Sequence, residues 1–212
     1  MNRVLLSLAT ALLGGCVAQP TKLDMSAFHA AKPRSILVVP AINKSLDVDA
    51  PNYLLATLPV PLAEKGYYVF PVNTTKYILE QEGMYDADQV HKEPPEALAK
   101  MFDADAVLYV QINRWDAEYL LIAARVTVDF DYRMVSKDGT EIWKEHRTMI
   151  YSPQNDSSGH PLAILIVAVI NAAITRAAPN YLPLTKQANQ QVFVLGTNAL
   201  PDGPYRPTEL KK

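Results

Sequence analysis

Hydrophobic and polar positions along this chain predict a central domain in which strands and helices alternate. Residues 35–42 form a continuous apolar run rich in β-branched side chains, which is typical of a strand buried on both faces. A helix is expected after Asp49, because apolar residues then recur at helical spacing (Leu54, Leu55, Leu58 and Leu62). Pro59 and Pro61 should kink or split this helix, since proline has no backbone N–H.

The same alternation continues towards the middle of the chain. Residues 67–72 and 106–115 are predicted strands, and residues 74–82 and 94–102 are predicted helices. The fold class is therefore α/β, an α+β mixed sheet whose first part is a three-stranded βαβαβ unit.

The pattern changes to strict alternation of polar and apolar residues over 125–134. This period is typical of a half-exposed antiparallel strand. Asp138 and Gly139 follow, and this pair suits the positive φ angles of a two-residue hairpin loop. An antiparallel hairpin is therefore expected after the βαβαβ unit.

The two-residue loop fixes the pairing of the hairpin. It places Met134 opposite Trp143, a residue we expect to be structural. It also places Asp131 opposite His146. A slip of one residue would place Asp131 opposite Glu145, where like charges destabilise the pair.

The last predicted element is a long helix at residues 160–175 that is apolar almost all round. One sheet face cannot cover such a helix, so the preferred interpretation is burial against the sheet on one side and a second subunit on the other. Burial within the monomer and a membrane span stay open as alternatives. A symmetric dimer is the commonest arrangement, and the interface candidates are Leu162, Leu165, Ile166, Val167, Val169, Ile170 and Ile174.

The N-terminus has the features of an export signal. Arg3 precedes an apolar stretch at residues 4–13, which is too short for a permanent span of about 20 residues. Residues 1–15 are therefore predicted to be a signal peptide. The stretch ends in Leu13, Gly14, Gly15 and Cys16.

Leu13 to Cys16 resembles the bacterial lipobox. The resemblance implies that Cys16 receives diacylglycerol and a further acyl chain such as palmitate, and that it becomes the mature N-terminus. Cys16 is the only cysteine, and an odd exported thiol needs such an explanation. By resemblance to sorted lipoproteins, Val17 in place of Asp favours the outer membrane, with the protein on its periplasmic face or at the cell surface.

Composition and proline content suggest the remaining boundaries. Residues 16–34 are predicted to be a lipidated tether, residues 35–195 a single α/β domain, and residues 196–212 a Pro-rich tail that wraps the domain or hangs free. With 20 Lys and Arg against 22 Asp and Glu, the chain has no basic excess. A nucleic-acid partner is therefore not expected.

Three segments carry a resemblance to known envelope proteins. Residues 36–43 resemble the first strand of domains related to the N-terminal domain of TolB and to the curli secretion lipoprotein CsgG. Residues 104–111 and 137–143 resemble their following strand and hairpin. Over nearly the whole mature chain, the sequence is similar to a family of bacterial lipoproteins of unknown function, typified by a meningococcal surface-antigen candidate. The resemblance implies a TolB N-terminal-domain-like fold and assembly with other envelope lipoproteins.

One predicted surface carries candidate catalytic residues. Asp129 and Asp131 share a strand face, and two carboxylates at such spacing could bind or hydrolyse peptidoglycan. Arg125, Arg133 and His146 share that face, so a salt-bridged exposed surface is the preferred interpretation. The preferred function is that of a non-catalytic assembly component, with the cell-wall role as the alternative.

Other polar clusters favour structural roles. Asp86, Asp88 and His91 could in principle bind a metal but are expected in a solvated loop. Residues 156–160 are expected to cap the apolar helix, because neighbours in a loop do not give the geometry of a catalytic triad. Asp105 is expected to accept backbone hydrogen bonds at the start of its strand. No metal and no cofactor are expected.

Overall fold

The computed structural model describes residues 22–120, 123–151 and 181–207 of the 212-residue chain. These residues form one mixed sheet with helices on both faces, which confirms the predicted fold class. The helices are α1 (Ser26–Ala31), α2 (Ala50–Thr57), α3 (Pro59–Glu64), α4 (Val72–Gln81), α5 (Ala87–Lys92), α6 (Pro95–Phe102) and α7 (Leu182–Gln190), which continues into a π-helical turn (Gln191–Leu195). The strands are β1 (Ser35–Val38), β2 (Ile42–Asn43), β3 (Tyr68–Val69), β4 (Ala106–Leu120), β5 (Ala123–Ser136) and β6 (Glu141–Tyr151).

The strands lie in the order β3-β1-β4-β5-β6, and β2 also pairs with β4. β1 is parallel to β3 and β4, whereas β4, β5 and β6 are successively antiparallel. The parallel part matches the predicted βαβαβ unit, and the antiparallel part contains the predicted hairpin.

Alternate residues of the first strand enter two separate cores, as predicted for a strand buried on both faces. Ile36 and Val38 belong to a larger core, and Leu37 and Val39 to a smaller one. The strand ends at Val38, shorter than predicted, and the chain resumes pairing only at β2. Pro40 lies between the two strands and has no N–H for a ladder hydrogen bond.

The larger core lies between one face of the sheet and helices α1, α2, α3 and α7. Its largest fully buried side chains include Trp143, Tyr132, Phe130 and Phe193. The smaller core lies between the opposite face and helices α4, α5 and α6. The smaller core covers only part of its sheet face, and polar side chains occupy much of the rest.

The helix after Asp49 is split into α2 and α3 at Pro59, as predicted. The next strand is much shorter than expected: β3 has two residues, and α4 already begins at Val72. Helix α5 was not predicted. It begins with a capping box in which the Asp86 carboxylate accepts from the Gln89 N–H and the Gln89 side chain accepts in return.

The register of the hairpin is as predicted, with Met134 opposite Trp143 and Asp131 opposite His146. The loop differs from the prediction. Ser136 N–H donates to the Thr140 carbonyl, so three residues form the loop, and a register shift follows in the strand. Only Gly139 has a positive φ, +79°, whereas the two-residue type I′ loop needs two such residues. The register shift between Met134 and Val135 compensates for the change in loop length, so the pairing beyond it is the predicted one.

The described part of the predicted tether is packed against the domain. Phe28 in α1 is buried in the larger core and contacts the ring of Tyr67 edge to face. The Leu23 N–H donates to Asn198 Oδ1 at 2.9 Å. An irregular tether up to residue 34 is therefore wrong for residues 26–34, because Phe28 anchors this segment in the core.

The C-terminal segment wraps the domain as far as residue 207. The Gly203 and Tyr205 N–H groups donate to the carbonyls of Lys65 and Gly66. A side chain at Gly66 would collide with the backbone of Arg206, so the close approach requires glycine there. The segment therefore covers the chain next to β3.

Helix α7 and its π-helical turn were not predicted either. They bury Leu184, Ala188, Val192 and Phe193 in the larger core. In the described ranges, no helix has the length and apolar character needed to cross a membrane. The predicted signal peptide, the lipobox at residues 13–16 and the predicted helix at 160–175 lie outside the described residues.

Candidate functional site

The smaller core leaves part of its sheet face uncovered, and this part carries a cluster of hydrogen-bonded polar side chains, which we call the polar patch. It is formed by three strands: Gln111 and Asn113 on β4, Asp129 and Asp131 on β5, and His146 and Thr148 on β6. Neighbouring residues in each strand face the larger core, so the strand period of two separates the patch from the core.

Asn113 lies at a β-bulge. Ile112 pairs with Phe130 and Arg114 with Asp129, which leaves Asn113 without a partner in the ladder. Its side-chain amide donates to Asp129 Oδ1 at 2.9 Å and to Asp131 Oδ2 at 2.7 Å. The bulge thus directs one amide at both carboxylates, which is a known effect of such irregularities.

Two residues of β6 complete the network. The Thr148 hydroxyl donates to Asp129 Oδ2 at 2.6 Å. His146 Nδ1 lies 2.7 Å from Asp131 Oδ1, and His146 Nε2 lies 3.5 Å from Asp129 Oδ2. Both carboxylates are therefore held by partners on each neighbouring strand.

The electrostatics favour a charged Asp131. Partial burial raises the pKa of this carboxyl, but hydrogen bonds from Asn113 and His146, together with electrostatic attraction by His146, outweigh burial. The pKa therefore lies below its ordinary value. A glycosidase needs a carboxyl group whose pKa is raised, so that it can donate a proton. The pKa of Asp131 moves in the opposite direction, so this carboxyl does not suit the proton-donating role.

The two arginines predicted on this face lie outside the network, whereas His146 is part of it. Arg125 Nη1 is 3.8 Å from Glu118, and the Arg133 guanidinium lies over the Tyr109 ring at 4.5 Å from its centroid. The expected salt-bridged surface is thus a carboxylate–amide–imidazole network, with these arginines engaged elsewhere.

The residues proposed for a metal do not converge. Asp86 caps α5, and His91 Nε2 is 2.9 Å from the Pro40 carbonyl. Burial lowers the pKa of His91, so the neutral ring donates to that carbonyl. The solvated loop expected for this segment is helix α5. In the described residues, no group of three or more His, Cys, Asp and Glu side chains could hold a metal ion.

Asp105 ties the start of β4 to the start of β1. Its carboxylate accepts from the Arg34 N–H at 3.0 Å and from the Ser35 N–H at 3.3 Å. Lys137 Nζ lies 3.4 Å from its other oxygen. Partial burial raises the pKa of Asp105, but these hydrogen bonds outweigh it and hold the pKa below its ordinary value.

Sequence reasoning missed Gln111, Asn113 and Thr148. A signal was present for the bulge: core positions recur every second residue through Leu108, Val110 and Ile112, and then three residues later at Trp115. Such a slip in the period of two indicates one extra residue. The residues predicted at 156–160 and 162–174, and Cys16, lie outside the described residues.

Comparisons with known proteins come from sequence and from structure. A family model described as "Putative lipoprotein GNA1162-like" matches residues 23–205. The chain is 36% identical over 174 residues to the protein named "Putative lipoprotein NMB1124/NMB1162" of Neisseria meningitidis serogroup B, covering 81% of this chain and 80% of that protein. It is also similar to the crystal structure of lipoprotein GNA1162 from Neisseria meningitidis, with a TM-score of 0.56 and 34% identity over 68% of this chain and 99% of that chain. These matches confirm the resemblance to the meningococcal lipoprotein family.

Proposed function

This chain belongs to the GNA1162-like lipoprotein family, and from that premise we propose that it is an outer-membrane lipoprotein acting as a non-catalytic assembly component of a cell-envelope complex. The observation that carries the proposal is the lipobox-like ending of the signal sequence at Cys16. Two or more acyl chains there would give stable membrane attachment, since each buried CH₂ contributes about 0.8 kcal/mol.

The position of the described N-terminal segment supports close attachment. Leu23 is held by Asn198, and the chain from Cys16 to Leu23 can reach at most about 25 Å. An acylated Cys16 would therefore keep the domain near the membrane surface. The side of the domain that carries Asn198 would be nearest to the lipid.

The polar patch supports an interaction role over a catalytic one. Asp129 and Asp131 are occupied by hydrogen bonds from Asn113, Thr148 and His146. Incubation of the intact protein with purified peptidoglycan is expected to release no fragments. Turnover that Asp129→Asn abolishes would contradict the proposal in favour of a hydrolytic lipoprotein.

Homo-oligomerisation through the helix predicted at residues 160–175 is part of the proposal. Val167→Glu or Ile170→Glu is expected to dissociate the protein without unfolding it, provided that the side chain faces the partner. Light scattering measures the mass, and circular dichroism checks the fold. A wild-type protein that is monomeric at tens of micromolar would contradict this part.

Lipidation is tested by Cys16→Ser in the full chain. The variant is expected to lose incorporation of a fatty-acid analogue and to leave the membrane fraction. Val17→Asp is the matched variant: it keeps the acylated cysteine and is expected to move the labelled protein to the inner membrane. Membrane association and labelling that persist in Cys16→Ser would overturn the lipoprotein assignment.

A further inference from the structure

The two edges of the sheet are built differently. At one edge, β3 has two residues, and the C-terminal segment lies beside it through hydrogen bonds to Lys65 and Gly66. At the other edge, β6 has eleven residues. Apart from the bonds to β5, no hydrogen bond joins the backbone of residues 142–150 to any other described residue. A long edge with unpaired N–H and C=O groups is a template for another strand.

The charges on β6 select one way of pairing this strand with a second copy of itself. In an antiparallel pair centred on His146, Glu145 of each copy lies opposite Arg147 of the other. Centring the pair on Glu145 or on Arg147 instead places like charges opposite each other, which is destabilising. The sequence Lys144-Glu145-His146-Arg147 thus discourages neighbouring registers and favours a single one.

The same register matches the two faces of the strand. Trp143, Glu145, Arg147 and Met149 face the larger core, and Lys144, His146 and Thr148 lie on the opposite face. Pairing about His146 places Trp143 opposite Met149 and Lys144 opposite Thr148. Apolar residues then meet on the core face, and polar residues meet on the outer face.

Arg147 has hydrogen-bonding capacity left for a partner. Its Nη2 lies 3.4 Å from Glu145 Oε1, and its Nε is buried and has no hydrogen-bond partner among the described residues. The other oxygen of Glu145 accepts from Asn198 at 3.1 Å. The Arg147 side chain is 27% exposed, so a second carboxylate from the facing copy would bind the remaining Nη donors of its guanidinium.

The arrangement is compatible with two lipid anchors on one membrane. Leu23 and Asn198 lie on the core side of β6, since Leu23 packs against the larger core and Asn198 accepts from the Trp143 indole. A two-fold axis perpendicular to the sheet keeps both core faces on the same side. Both N-terminal segments would then leave from that side, near the axis.

From these observations we propose that β6 pairs antiparallel with β6 of a second copy of this chain, about a two-fold axis at His146, and extends the sheet across the dimer. The pairing buries the free edge and exchanges two Glu145–Arg147 ion pairs. It involves residues of β6 and none of the residues of the helix predicted at 160–175. Only the single-membrane argument rests on the proposed lipidation.

Disulfide trapping in intact cells tests the axis. His146→Cys places two thiols opposite each other, with Cα atoms about 4.5–5.5 Å apart, within the range of a disulfide. Ile150→Cys is the matched control on the same face of the same strand, because its two copies would be about 26 Å apart. We expect a dimer band on a non-reducing gel only after oxidation of His146→Cys, and we expect reductant to convert this band to monomer.

Wild-type protein is run beside both variants. A disulfide dimer of the wild type would mean that Cys16 is a free thiol, which contradicts the proposed lipidation. The β6 pairing would then be judged from the amount of dimer in His146→Cys above that in the wild type. Equal trapping of His146→Cys and Ile150→Cys, or trapping of neither, would overturn the β6 dimer. Trapping of neither is the outcome expected if another segment or protein covers this edge.

Charge reversal tests the register in detergent-solubilised full-length protein. Arg147→Glu is expected to weaken dimerisation at least tenfold, because it places Glu opposite Glu145. The double variant Glu145→Arg with Arg147→Glu should recover most of the loss, and circular dichroism checks that each variant is folded. Dimers that survive Arg147→Glu but dissociate in Val167→Glu would assign the interface to the predicted helix and overturn the β6 pairing.

Discussion

The two faces of the β5–β6 hairpin differ in how far each residue is tied to the fold. On one face, Tyr132 and Trp143 are 1% exposed and contact Phe193 from the C-terminal π-helical turn. On the other face, Asp131 and His146 keep about half of their side-chain surface exposed, 51% and 57%. Neighbouring residues of one strand therefore have opposite roles: one set specifies the structure, and the other remains available at the surface.

The largest effect is expected on the core face. Trp143→Ala should lower the free energy of unfolding by about 3–5 kcal/mol, as for other large aromatic truncations. The indole is fully buried, and its Nε1 donates to the Asn198 carbonyl at 2.8 Å. Denaturant unfolding measures the loss. A loss below about 1 kcal/mol would mean that this face is not the core face of the hairpin.

A smaller effect is expected from a buried polar network on that face. The Tyr132 hydroxyl donates to Asn189 Oδ1 at 2.6 Å, and Asn189 Nδ2 donates to Thr57 Oγ1 at 2.7 Å. Asn189→Ala leaves the Tyr132 hydroxyl buried without its acceptor, which should cost about 1–3 kcal/mol.

Tyr132→Phe is the matched control for this network, because it removes the hydroxyl that Asn189 serves. The double variant should lose less stability than the two single variants together, since the second change removes an already broken bond. Strict additivity would contradict coupling between Tyr132 and Asn189.

The same contrast explains which parts of the fold could be predicted from sequence. The hairpin register followed from alternation and charge, because Asp131 on one face and Met134 on the other both constrain the pairing. Helix α7 was missed because Thr185 and Asn189, four residues apart, are buried polar residues on its core face. Their hydrogen bonds replace apolar contacts, and the apolar period of a helix is therefore weak there.

The candidate site was only half predictable, for a related reason. Asp129, Asp131 and His146 could be placed on one face by the period of two. The amide that joins the carboxylates comes from Asn113, whose position depends on a bulge in β4. The tether was misassigned because its core contacts, which are Phe28 and the partly buried Leu23, Met25 and Ala27, are few and interspersed with polar residues, so they give no clear helical period.

On the outer face, Asp131 should make a small contribution to the free energy of unfolding that is lost at acid pH. Its folded-state pKa lies below the ordinary value of 3.8, so the stabilisation is present above the unfolded pKa and is lost as the pH falls through the folded pKa. Wild type should exceed Asp131→Asn by up to about 1 kcal/mol at neutral pH, the range of exposed ion pairs. This difference should shrink below about pH 4 in denaturant unfolding at a series of pH values. A difference that grows as the pH falls would contradict the sign of the shift.

The smallest effect on stability, and the sharpest test of the polar patch, is expected from Asn113→Ala. The Asn113 amide donates to both carboxylates and is one of the hydrogen-bond donors that lower the pKa of Asp131. Its removal should raise the pKa of Asp131 towards the ordinary value, while the free energy of unfolding changes by no more than about 1 kcal/mol, because the site is partly open to water. Carboxyl carbon shifts followed by NMR during an acid titration report the pKa of each Asp directly. Thr148→Val is the matched control: its hydroxyl donates to Asp129 and lies 3.2 Å from His146 Nε2 but does not contact Asp131, so the Asn113 and His146 hydrogen bonds should keep the pKa of Asp131 lowered. An unchanged Asp131 pKa in Asn113→Ala would mean that the bulge does not organise the patch, and that the His146 contact alone keeps the carboxylate charged.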